Sequence, residues 1–202
     1  MSLSQLNIDI FRSINDIGKQ YDSLNPIAVF IAEYMLYILC FGVLCYWLSR
    51  TNKNRMMIIQ SVLAVILAEI LGKISGKFHS HFQPFAELTN VNKLIEHSVD
   101  NSFPSDHTII FFSICFSILL VRKEGWLWLL IALFVGISRI WVGVHYPVDV
   151  LVGALYGIIS ASFIFWLAPK LAFLKQLLAF YEKVEQAIIP RKSKSKNQTK
   201  NF

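Results

Sequence analysis

The sequence predicts an all-α fold: a polytopic membrane bundle of about five transmembrane helices, preceded by an N-terminal amphipathic helix at the interface. Three observations predict it. Of 202 residues, 55% are apolar and the mean hydropathy is positive, above what a soluble domain of this length carries. Five stretches approach the ~20 apolar residues that cross a bilayer. Lysine and arginine gather in alternate connections between those stretches. The length allows one domain, so residues 1–168 are expected to form the membrane domain, with 1–25 as the interfacial helix and 26–168 as the bundle. Residues 169–202 are expected to form a cytoplasmic amphipathic helix and a basic tail.

Residues 1–25 have no early basic cluster and no apolar core followed by small residues, so no cleavable signal peptide is expected. Leu6, Ile10, Ile14, Ile17 and Tyr21 recur at helical spacing, with Asp9, Arg12, Asp16 and Lys19 between them. That pattern fits a helix lying in the membrane surface or one packed on the bundle. Pro26 opens the first span, which runs to about Leu48 with Glu33 as its only charge. The second runs from about Met56 to Gly76 and holds Glu69 and Lys73, four apart in the order that favours an ion pair. The third is Phe103 to Val121, the fourth Gly125 to Val144 and the fifth Pro147 to Ala168. Backbone amides in hydrocarbon must be bonded within their own segment, which makes each run a helix. After Ala168, Leu171, Leu174, Leu178 and Tyr181 predict an amphipathic helix. The closing "PRKSKSKNQTKNF" is too polar to fold alone and is expected to be disordered, serving anionic headgroups or topology alone.

The linker "RTNKNR" holds three basic residues, the turn "RKEG" two and the chain after Ala168 eight, together thirteen of nineteen. These regions alternate correctly to share one face, which the positive-inside rule assigns to the cytoplasm. The long loop after Lys77 and the region around His145 then face outside. Cys40, Cys45 and Cys115 all lie inside apolar runs and read as packing residues, not as a disulfide framework or zinc site.

Three stretches fall on that outer side: "GKFHSHFQPF" at 76–85, "FPSDHT" at 103–108 and "SRIWVGVHYPVDV" at 138–150. They supply Lys77, Ser105, His107, Arg139, His145 and Asp149, the equipment for holding a phosphate and breaking its ester or anhydride bond. Cations neutralise nonbridging oxygens, a hydroxyl and backbone amides add hydrogen bonds, and two histidines divide nucleophilic and acid duties. Pro104 and Pro147 suit the first turn of a helix, so the third and fifth spans are expected to begin there, with amide ends that attract phosphate. Asp149 is expected to accept a hydrogen bond from one imidazole nitrogen of His145 and leave the other free to attack. His79 and His81 read as an exposed loop; two histidines without a third ligand make a poor metal clip.

These blocks resemble the tripartite signature of the type 2 phosphatidic acid phosphatase superfamily, K-x6-R-P, P-S-G-H and S-R-x5-H-x3-D. The third block matches at Ser138, Arg139, His145 and Asp149. The second is "PSDH", with Asp106 at the usual glycine, and in the first Lys77 is followed after five residues by Gln83-Pro84. That combination is similar to the bacitracin-resistance type of undecaprenyl-diphosphate phosphatase, a bacterial membrane enzyme of cell-wall lipid carrier recycling. The resemblance implies metal-independent chemistry with no cofactor. His145 would attack phosphorus, Asp149 would orient it, and His107 would protonate the leaving group. Lys77, Ser105 and Arg139 would bind phosphoryl oxygens. Gln83 would donate hydrogen bonds without arginine's charge, and Asp106 would tune the site.

The leading expectation is therefore hydrolysis of a polyprenyl diphosphate lipid at the outer leaflet of a bacterial cell membrane. Membrane lipids are its surroundings, and no nucleic-acid partner is expected. Phosphatidic acid or phosphatidylglycerophosphate is the alternative substrate. A non-catalytic protein that binds or moves anionic lipids is the alternative from another class.

Overall fold

A computed structural model describes residues 2–188, and the closing "PRKSKSKNQTKNF" lies outside them. Among the described residues the chain forms helices and no strand. The order is α1 (Leu3–Asn15), α2 (Ile17–Gln20), α3 (Asn25–Leu48), α4 (Asn52–Phe78) and α5 (Pro84–Glu87), then α6 (Asp106–Val121), α7 (Gly125–Trp141), α8 (Pro147–Leu167) and α9 (Ala172–Ile188). The stretches 22–48, 52–78 and 147–170, which contain α3, α4 and α8, are long and apolar enough to cross a membrane; α6 and α7 are apolar and shorter. These five occupy the positions of the five expected spans. Phe41, Ile66, Ile70, Phe134, Leu151 and Ile159 stand exposed on α3, α4, α7 and α8. Contiguous apolar surface of that kind belongs against lipid, and the chain is a membrane protein.

α6 is the central helix, packed against α4, α7 and α8. Its Ile109, Phe111, Cys115 and Ile118 are completely buried. Close approach to α8 depends on glycine: a Cβ at Gly153 would stand 2.9 Å from the carbonyl oxygen of Ser105. Short connections between α3 and α4, α6 and α7, and α7 and α8 make neighbours antiparallel. The last turns of α4 and α7 and the first turns of α6 and α8 consequently meet at one end of the bundle.

At that end α1 is packed on the bundle, the second of its two expected arrangements. Phe11 is fully buried beside the Tyr146 ring, 5.5 Å between centroids. Asn15 donates to the carbonyls of Trp141 (2.7 Å) and Asn92 (3.0 Å), while Leu3, Leu6 and Ile10 remain exposed. At the opposite end Arg55, 1% exposed, holds α9. Its guanidinium meets both Glu185 oxygens at 2.7 and 2.8 Å and lies between the rings of Trp47 and Tyr181.

Two local expectations are corrected. Pro147 does open α8, but Pro104 lies outside α6, joined to Phe103 by a cis peptide, and Ser105 with extended backbone is the N-cap of a helix starting at Asp106. Glu69 and Lys73 form no ion pair among the described residues: Lys73 is exposed, while Glu69 is partly buried with Oε1 unpartnered.

Candidate active site

The spacing of Arg139, His145 and Asp149 is built by one helix end and one helix start. α7 terminates in a Schellman turn: Gly143 N–H donates to Ile140 O (3.1 Å) and Val144 N–H to Arg139 O (3.2 Å), which satisfies carbonyls that the helix end leaves open. The turn requires φ of +85° at Gly143, a conformation that glycine adopts without steric penalty. His145 follows at once, its own N–H directed to the same Arg139 carbonyl at 3.3 Å. Pro147 then starts α8, and Asp149 reaches back to accept the Tyr146 N–H through Oδ2 at 2.8 Å, as a carboxylate in the first turn of a helix does.

Asp149 is completely buried and His145 is 6% exposed. The expected direct hydrogen bond between them is replaced by a bridge, because Nδ1 of His145 is 3.6 Å from Oδ2 of Asp149, too long for such a bond. Ser102 stands between them. Its hydroxyl donates to Oδ2 at 2.7 Å and lies 3.1 Å from Nδ1, and its carbonyl oxygen lies 3.0 Å from Nδ1. The single hydroxyl hydrogen is used on the carboxylate and a carbonyl only accepts, so Nδ1 must carry a hydrogen. That assigns the tautomer and leaves the Nε2 lone pair of His145 free. Burial holds the imidazole below its usual histidine range, while Asp149 acts in the other direction, so the neutral form persists to lower pH than in an ordinary histidine.

The other oxygen of Asp149 meets a third group that sequence reading left in a loop. Nε2 of His81 is 2.9 Å from Oδ1, a close ionic contact without the directed geometry of a hydrogen bond. Asp149 holds His81 above the ordinary histidine range, against the opposing effect of burial. Asn101 places this loop: its side chain accepts from the Phe103 N–H at 3.2 Å and donates to the carbonyls of Phe103 (2.9 Å) and Gly76 (3.3 Å). Ser102 N–H in turn donates to His81 O at 2.9 Å.

Arg139 and His107 line one cavity of about 370 Å³, together with Glu33, Tyr34, Tyr37 and His97. Arg139 is 2% exposed; one Nη1 hydrogen reaches the Ala32 carbonyl at 3.2 Å, and its buried Nε has no partner. An unpartnered guanidinium N–H at that depth is costly unless an anion takes it. Glu33 and Asp106 are the carboxylates in electrostatic range of Arg139, and Arg139, His145 and His97 are the titratable neighbours of His107. The His97 ring is 6.1 Å from that of His145, and its Nδ1 is held 2.9 Å from Ser98 O. His97 was not singled out in the sequence; a histidine in the long loop beside an apolar run was the available signal.

The remaining candidates are placed as follows. Ser105 is buried; its N–H donates to Asp149 O at 3.2 Å and its Oγ accepts from Thr108 at 3.0 Å. Lys77, in the last turn of α4, is exposed at the same end of the bundle, makes no hydrogen bond or ion pair among the described residues, and stands outside the cavity lining. Asp106 is exposed in the first turn of α6. Gln83 is fully buried with both ends of its amide on Asp100: Nε2 donates to Oδ1, and Oε1 accepts the Asp100 N–H at 3.1 Å. No group of three or more potential metal ligands occurs among the described residues.

A buried imidazole of fixed tautomer, a second imidazole and a guanidinium with an unpartnered N–H lie at one end of the bundle, an arrangement chemically suited to phosphoryl groups. Residues 57–173 match the family model of the PAP2 superfamily. The chain is 64% identical over 203 residues to the protein named bacitracin transport permease protein BcrC of Bacillus licheniformis, covering 100% of both chains. It is 33% identical to undecaprenyl-diphosphatase BcrC of Bacillus subtilis (strain 168), over 98% of this chain and 100% of that one. The crystal structure of Aquifex aeolicus LpxE is similar with a TM-score of 0.61 and 28% identity, covering 79% of this chain and 94% of that one. The chain belongs to the PAP2 superfamily.

Proposed function

We propose that this protein is an undecaprenyl-diphosphate phosphatase that works through a phosphohistidine. The carrying observation is the buried bridge from Asp149 through Ser102 to Nδ1 of His145, whose ring lies 6.1 Å from that of His97 in the lining of the cavity that Arg139 and His107 share. Nε2 of His145 attacks the terminal phosphorus, the bond to the bridging oxygen breaks, and undecaprenyl phosphate leaves. Charge developing on the ring is offset by Asp149, and charge on the equatorial oxygens by Arg139, with Lys77 and the Ser105 region adding to it. His107 gives a proton to the departing phosphate. It then takes one from water, which attacks the phosphohistidine and releases inorganic phosphate. Positive charge comes from the chain's own side chains, so catalysis is expected without a metal ion.

Gln83 serves in this reading by bracing the loop through Asp100, not by contacting phosphate. Asp106 tunes Arg139 from the rim. The distribution of lysine and arginine supports a site facing the outer leaflet, with α9 and the chain end on the cytoplasmic side. The diphosphate substrate is supported by the relative from Bacillus subtilis, whose name states that activity. The name of the Bacillus licheniformis relative states transport instead; a carrier has no need of an oriented buried nucleophile.

Purified protein in detergent, without added metal, is given undecaprenyl diphosphate, phosphatidic acid or phosphatidylglycerophosphate, and released phosphate is measured. Release is expected from the diphosphate fastest, and a His145→Ala variant that folds normally is expected to release none above background. Preference for a monoester would replace the substrate; equal release by the variant would remove the mechanism.

A further inference from the structure

Asp149 carries two imidazoles, and the proposed mechanism uses only one. Ser102 and the Tyr146 N–H occupy Oδ2, on the side of His145, at 2.7 and 2.8 Å. Among the described residues, the side chain that meets Oδ1 is His81, at 2.9 Å. His81 lines a second cavity of about 390 Å³, which shares no lining residue with the one that holds Arg139 and His107. His79, Glu87 and Tyr146 also line it, and α1 contributes the uncharged Ser4, Asn7, Leu3 and Ile8. The chain of contacts thus runs from this cavity through His81, Asp149 and Ser102 to Nδ1 of His145, without a gap longer than 3.1 Å.

We propose that His81 is a positioning residue of the phosphoryl transfer, one whose protonation sets how much of the Asp149 charge is available to the phosphorylated His145 ring. The inference rests on the phosphohistidine reading above. The physics is a competition for one carboxylate. When the His145 Nε2–P bond forms, the ring becomes cationic with Nδ1–H directed to Ser102, and the full charge of Asp149 stabilises it across the bridge. A protonated His81 in contact with Oδ1 cancels part of that charge at about the distance of an ion pair. A neutral His81 stays packed beside the carboxylate but leaves its charge intact. The proton of this step passes from His107 to the departing phosphate, and His81 takes no part in that transfer; it exchanges its own proton with water in its own cavity.

The other groups facing His81 define the direction. Glu87 from α5 favours its protonated form, as Asp149 from α8 does more strongly. Tyr146 donates its hydroxyl to Glu87 at 3.1 Å and is uncharged when it does so, and His79 packs edge-on 5.5 Å away on the same segment. His81 is therefore protonated to a higher pH than an ordinary histidine, whereas burial holds His145 neutral to a lower one. The acid limb of the wild-type rate should follow His81.

The test is kcat and KM for undecaprenyl diphosphate against pH for wild type, His81→Gln and His81→Ala. Glutamine keeps an N–H donor for Oδ1 and cannot titrate. Its acid limb is expected to move to lower pH, so that it outpaces wild type at acid pH, with KM changed less than about twofold. Alanine is expected to lower kcat about tenfold at all pH, with glutamine restoring most of it at neutral pH. A glutamine variant that keeps the wild-type limb, or that is slow at every pH while matching wild type in thermal stability, overturns the proposal and leaves the phosphatase reading standing. Wild-type protein that releases no phosphate overturns both.

Discussion

Ser102 gives its hydroxyl hydrogen to Oδ2 of Asp149 at 2.7 Å, and it is this serine, not the aspartate, that touches His145. Ser102→Ala removes the bridge and leaves the carboxylate with one donor fewer. Outer groups that orient a reacting imidazole typically matter by about 10–100-fold. The expected outcome is a fall of that size in kcat with little change in KM, measured as phosphate release at saturating substrate. A KM effect alone would place Ser102 at the substrate.

Arg139 is the cation buried at the cavity, with its Nε unpartnered. Lysine keeps the charge but lacks the planar fork that reaches two phosphoryl oxygens at once. Arg139→Lys is expected to lower kcat/KM about 100-fold or more, a loss near 3 kcal/mol of transition-state stabilisation. Inorganic phosphate inhibition, measured in the same assay, should weaken in parallel.

Gly143 sets the distance from Arg139 to His145. An alanine there would hold φ of +85° and put a Cβ 2.9 Å from the Asn92 carbonyl oxygen. Left-handed backbone costs about 1–2 kcal/mol for such a residue, before the clash is counted. Gly143→Ala is expected to lower the melting temperature in detergent and to reduce kcat more than a comparably destabilising change far from the site.

The clasp between Arg55 and α9 is electrostatic and should titrate. The Arg55 side-chain bond holds the Glu185 carboxyl below its ordinary value of 4.5. With a depressed folded value, its contribution is complete above the unfolded value and is lost as pH falls through the folded one. α9 is therefore expected to stay docked at pH 5 and above (roughly, by that linkage) and to release in stronger acid. Arg55→Ala should release it at neutral pH, costing about 2 kcal/mol through lost charged hydrogen bonds and ring contacts. Fluorescence of Trp47, whose indole N–H reaches the Tyr181 hydroxyl at 3.2 Å, reports both.

The parts of the site that were legible in the sequence are local. Arg139, His145 and Asp149 sit in a helix end, a glycine turn and a capped helix start, each determined by residues within a few positions of one another. The placing of Lys77, His107 and His145 toward one end of the bundle followed from alternating spans and short turns, while Lys77 stands outside the cavity that His107 lines. Ser102, His81 and His97 were not legible, because their partners lie tens of residues away and nothing in a serine or a loop histidine announces which carboxylate it will meet. Gln83 shows the same limit: its position suggested phosphate, and packing gave it to Asp100. Glu69 and Lys73 show the converse. Helical spacing proposed a pair, and none forms among the described residues: Lys73 is exposed and Oε1 of Glu69 has no hydrogen-bond partner.

The most direct measurement is a trap for the covalent intermediate. Protein is mixed with undecaprenyl diphosphate labelled in the terminal phosphate, quenched within one turnover and digested. The account predicts an acid-labile, base-stable phosphoryl group on the peptide that contains His145, absent from His145→Ala and diminished in Ser102→Ala. Label on His107 instead, or turnover in wild type with no labelled peptide under any quench, would contradict it.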